Sequence, residues 1–184
     1  MKNSLSTGGN LQKALGYLLE DLPRMLRLGL ILLGFFIATV VLPALVHVSG
    51  LPVRWILPMH LPVIIAGIIY GWRIGMIVGL GAPLINWLLT GFPLVPVLPA
   101  MMIELSIYGC ITGWLSNRSS WRMSFAIGTA LIVGRIGFLV TIVFTSGYSG
   151  AFGNYVVAAM TPGIAAMFGQ MLLIPLVFKW FRSK

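Results

Sequence analysis

Apolar residues run through this chain in long unbroken stretches, and polar residues gather between them. A helix that crosses a bilayer needs about 20 apolar residues at a rise of ~1.5 Å each. The runs at 28–46, 97–115, 124–146 and about 156–178 meet that requirement. The stretch 57–91 is too long for one ordinary span and carries Arg73 inside the turn-like "YGWRIG". Dividing it there predicts one helix over 57–70 and another over 74–90. The first of these is short and opens on Pro58 and Pro62, so it needs protein or a cavity beside it rather than lipid. Ahead of the first run, Leu11, Leu15, Leu18 and Leu22 recur at helical spacing. They predict an amphipathic helix over 10–23 lying on the membrane surface. The first run begins too late for an ordinary cleaved signal peptide, and no small-residue cleavage pattern stands out. Because the apolar runs are continuous rather than alternating, a β-barrel is excluded.

Composition turns this pattern into a class. Of 184 residues, 59% are hydrophobic and 8% charged, against roughly 25% charged in soluble domains. The expected fold is an all-α integral membrane protein of six transmembrane helices, a single membrane domain over 28–178. A cytoplasmic segment over 1–27 precedes it, and a basic tail over 179–184 follows. The formal charge of +9 does not indicate nucleic acid, because the bases sit at the ends of apolar segments, as membrane orientation requires. With a cytoplasmic N-terminus and six helices, the inside segments hold Lys2, Lys13, Arg24, Arg27, Arg73, Arg118, Arg122, Lys179, Arg182 and Lys184. The outside loops hold only Arg54, which places both termini inside. The lone Cys110 has no intrachain partner and reads as a small packing residue.

Small residues mark where helices approach. Gly67, Gly71, Gly75 and Gly79 lie at spacing four, as do Gly109 and Gly113, and such rows pack helix backbones closely. Gly34 and Ala38 form a similar pair on the first helix, which is free to present it to a second protein.

The chemistry lies in the polar residues that lipid should exclude. Glu104 is one of three acidic residues and sits inside "MMIELSIYG". Arg135 lies near the middle of the 124–146 run. A charge at that depth costs about 2.5–3.5 kcal/mol on the lenient insertion scale, so both should face the bundle interior. They either pair with each other or reach a polar ligand. Tyr108 shares a face with Glu104 at i+4. Asn86, Gln170 and, from the glycine-rich loop "TSGYSGAFGNY", Asn154 complete a set of candidate substrate-binding groups. Apolar walls with a few convergent polar groups describe a small-molecule site. His60, with only His47 to join it, reads as a capping or interface residue rather than a metal ligand. The proline-rich "LTGFPLVPVLPA" predicts a stiff outer loop, and the glycine-rich one a mobile gate over the pocket. No GxxxxGK[ST], HExxH, GxSxG or CxxC pattern occurs, so no ATPase, metalloprotease, serine-hydrolase or redox chemistry is indicated. Neither metal nor cofactor is expected.

"LPMHLPVIIAGIIYGWRIGMIVGLGAPLINWLLTGFP", then "AMMIELSIYGCITGWL", the "GR" at 134–135 and "PGIAAMFGQMLLIPLV" together resemble the S-components of energy-coupling factor (ECF) transporters. The resemblance extends over about 28–177. It implies a non-enzymatic, multi-pass subunit of the bacterial cytoplasmic membrane that captures a vitamin or related micronutrient. Such a subunit docks on a transmembrane coupling protein with two ATPases. Helix 1 of that family typically carries an alanine-rich AxxxA contact, where this chain has Gly34 and Ala38. The rival from residues alone is a stand-alone proton-coupled transporter or channel with Glu104 as its protonation site.

Overall fold

The computed structural model describes residues 23–50, 57–116, 120–146, 166, 168–172 and 174–176. Five helices are bounded within them: α1 Arg24–Val48, α2 His60–Tyr70, α3 Trp72–Thr90, α4 Leu98–Leu115 and α5 Ser120–Ser146. The described residues within 166–176 are helical too, inside the predicted sixth span. There is no strand among the described residues. Residues 10–22 of the predicted surface helix over 10–23, and the loop segment 147–155 with Asn154, lie outside them, and Pro23 is not helical.

α1, α3, α4 and the Arg122–Thr145 part of α5 are long and apolar enough to cross a membrane. Four such helices fit a multi-pass membrane protein. α1 and α5 each begin four residues before their predicted starts, at Arg24 and Ser120. The apolar run underestimates both helices, because Arg propagates helix well and its charged head reaches toward water. α2 is 11 residues long, or ~16 Å, about half the ~30 Å hydrocarbon core. It is sheltered accordingly: His60, Pro62, Val63, Ile64, Ala66 and Gly67 are buried.

The split inside 57–91 falls at a single residue. Gly71 adopts φ +86°, ψ 173°, a conformation essentially limited to glycine. Its N–H closes α2 onto the Gly67 carbonyl at 2.9 Å, and its own carbonyl takes the Gly75 N–H at 3.0 Å. The glycine rows then bring α2, α3 and α4 into backbone contact. A Cβ on Gly75 would fall on the Gly109 carbonyl and 2.7 Å from the Gly67 Cα. One on Gly79 would strike the Leu105 carbonyl, and one on Gly113 the Trp72 nitrogen. The pairs 72/113, 75/109 and 79/105 make α3 and α4 antiparallel neighbours at glycine-limited distance.

By contacts, the described residues up to Gly34 form one unit and those from Phe35 another. In the second, Thr39 is the one buried residue of α1. It sits four residues before Pro43, which has no N–H to give its carbonyl. The Asn86 side chain supplies the missing donor at 2.9 Å.

Candidate functional site

α4 is apolar nearly all round, so periodicity does not show which face is inside. The structure buries Ala100, Glu104, Leu105, Tyr108, Gly109 and Thr112 as one stripe. Glu104 therefore points into protein and is 1% exposed. α5 runs antiparallel beside it, with Phe138 and Ile142 clustered against Ala100 and Gly134 against Tyr108. Arg135 Nη1 lies 3.1 Å from Glu104 Oε1, and the same oxygen accepts the Tyr108 hydroxyl. The two charges thus pair with each other. Tyr108 is fully buried, and its ring fits only because position 134 has no side chain. A Cβ there would overlap the Tyr108 ring.

The cluster extends beyond the residues expected from sequence. The His60 ring lies 5.3 Å from the Tyr108 ring, tilted by 44°, and is 3% exposed. Neither His60 nitrogen makes a hydrogen bond of normal geometry among the described residues, although the Leu57 backbone lies within reach of the ring, and Nε and Nη2 of Arg135 are unpaired among them. Buried polar atoms are nearly always paired, so the bare edge of Arg135 is a candidate contact for a ligand. The Arg135 guanidinium also lies 5.9 Å from the Phe138 ring centroid.

Gln170, 4% exposed, directs Nε2 at the Leu57 carbonyl, 3.4 Å away. Leu57 has φ +46°, uncommon for a residue with a side chain, and its carbonyl also accepts the His60 N–H at 3.0 Å. Gln170 thereby reaches the turn that presents His60. Asn86 is engaged elsewhere. Its amide nitrogen donates to the carbonyls of Thr39 (2.9 Å) and Ala82 (3.3 Å), which occupies both its protons. On α1, Gly34 is exposed with open space where a Cβ would stand, and Ala38 is half-buried.

Sequence reasoning brought out Glu104, Tyr108 and Arg135, which the fold joins directly. It passed over Gly134 as a site residue and assigned His60 a bland role. The available signal for His60 was that it is the one basic side chain in "LPMHLPVIIAGIIY". For Gly134 the signal was its place beside the mid-membrane arginine.

Buried polar groups held between apolar helices are compatible with a membrane-embedded binding subunit. The chain belongs to the substrate-specific components of ECF transporters: the family model "ECF transporter, substrate-specific component" matches residues 28–182. This family consists of the substrate-binding components of transporters, not of enzymes, and implies a small-molecule substrate and partner subunits. Comparison with curated proteins gave no match, and comparison with solved structures gave none.

Proposed function

We propose that this chain captures a small vitamin-like micronutrient outside the bacterial cytoplasmic membrane and releases it inward after docking on a transmembrane coupling protein with two ATPases. Six spans with both termini cytoplasmic is the topology that keeps the basic segments on one side. Substrate sits against Glu104, Tyr108 and Arg135, with Gln170 beside them and Asn154 from the glycine-rich loop as the gate. The Gly34–Ala38 face of α1 meets the coupling protein.

The observation that carries this reading is the buried Arg135–Glu104–Tyr108 cluster in a chain whose family binds substrates. A buried ion pair is weak evidence for stability, because desolvation offsets much of the attraction. A cluster that also leaves polar atoms bare is better explained by a ligand than by folding alone.

Native mass spectrometry of the gently purified chain should identify a retained small molecule. Vesicles containing the chain and the coupling module should then accumulate that molecule only when ATP is supplied. Uptake by the chain alone in ATP-free vesicles would sink the reading and return Glu104 to the role of a protonation site.

A further inference from the structure

The unpaired atoms of Arg135 are not scattered. Nη1 is taken by Glu104, and the bare atoms are Nε and Nη2. These two lie on the same edge of the planar guanidinium, where their N–H bonds run side by side. That edge matches the two oxygens of a carboxylate or phosphoryl group, which Arg grips bidentately. Glu104 holds the plane from the other side and fixes its orientation. Next along the contacts, beyond the Tyr108 ring, the buried His60 ring offers a further polar group that makes no hydrogen bond of normal geometry among the described residues.

We propose that the substrate of this site carries an oxyanion, a carboxylate or phosphoryl group, seated on the Nε/Nη2 edge of Arg135, and a second polar atom that hydrogen-bonds His60. This deepens the substrate-binding reading above and rests on it. A molecule with a neutral, donor-rich end facing Arg135 is disfavoured, because it would leave the buried fork unsatisfied.

The test uses the full chain in nanodiscs of zwitterionic lipid, with benzoate set against benzamide and phenyl phosphate against phenol. Thermal unfolding and equilibrium binding are followed at millimolar probe. At least one acid should raise the unfolding midpoint saturably, while its neutral counterpart does not. Arg135→Lys keeps Glu104 compensated but has no fork, so it should weaken that acid about tenfold or more. Arg135→Gln alone is prone to misfold, so the Glu104→Gln/Arg135→Gln double variant, which strands no charge, serves as the second test and should not respond to acid. 4-Hydroxybenzoate, which adds a second polar atom, should bind better than benzoate, and His60→Phe should remove that advantage while leaving the preference for acid over neutral probe intact.

Silence from both acids, equal stabilisation by benzamide or phenol, or an unchanged response in Arg135→Lys overturns the proposal. A shift produced only by phosphatidylglycerol in the nanodisc assigns the edge to a lipid headgroup and overturns it as well. The transport reading fails separately. ATP-driven uptake of a retained neutral molecule refutes the oxyanion alone, whereas uptake without partners refutes the function beneath it.

Discussion

At the scale of single residues, the site turns on two charges that are tolerable only together. Arg135 and Glu104 are 14% and 2% exposed at their side chains and 3.1 Å apart. Removing one leaves the other buried and uncompensated, at about 3–5 kcal/mol, whereas neutralising both removes the desolvation along with the attraction. Glu104→Gln and Arg135→Gln should therefore each lower resistance to unfolding in denaturing detergent by that order. The double variant should lose clearly less than the sum. Additive losses would mean that the two act independently. The charges were legible in the sequence because a carboxylate and a guanidinium inside apolar runs have few tolerable environments. Tyr108 followed from its i+4 spacing to Glu104. His60 was not legible in the same way. A histidine between prolines near a predicted helix start has several ordinary roles, and only the fold puts its ring against Tyr108.

At the scale of elements, the described helices were legible as apolar runs though their starts shifted by one to four residues, and the break between α2 and α3 was marked by "YGWRIG". What no period could show was which helix mends which defect. Pro43 leaves the Thr39 carbonyl without its helical donor, and Asn86, 47 residues later, provides one from α3. The repair makes a sharp prediction. Asn86→Ala should destabilise the wild-type chain by about 1 kcal/mol, the usual scale for a hydrogen bond between membrane helices. In a Pro43→Ala background the backbone N–H of residue 43 returns to the Thr39 carbonyl, and the same substitution should then cost less than half as much. An equal cost in both backgrounds would show that Asn86 acts through something other than this carbonyl. If Asn86 instead contacts substrate, its replacement should weaken ligand retention irrespective of residue 43. The glycine rows tell a similar story. Their spacing announced close packing, but the contacts 75/109 and 79/105 depend on α3 and α4 being antiparallel, which spacing alone does not fix.

At the scale of the whole molecule, the proposed function has the chain bind substrate alone and transport it only with a coupling module. Binding and docking should therefore fall on different surfaces. The candidate site is built from the buried faces of α2, α4 and α5. α1 is different: from Phe35 on, Ile37, Val41 and Leu45 are all exposed, and no atom stands within 4 Å of a Cβ built on Gly34. In lipid an added side chain on such a face has room, but it blocks the close backbone approach that small residues permit between helices. Ala38→Trp is expected to abolish association with the coupling protein while ligand retention stays within about twofold, a shift of only ~0.4 kcal/mol. Co-purification with the coupling module and native mass spectrometry of the same sample read the two properties together. Ala38 is half-buried, so Gly34→Leu on the open side serves as the companion variant. Loss of association in both with ligand kept places docking on α1. Loss of ligand in Ala38→Trp with Gly34→Leu still docking would instead make Ala38 an internal packing residue and move the docking surface off this helix.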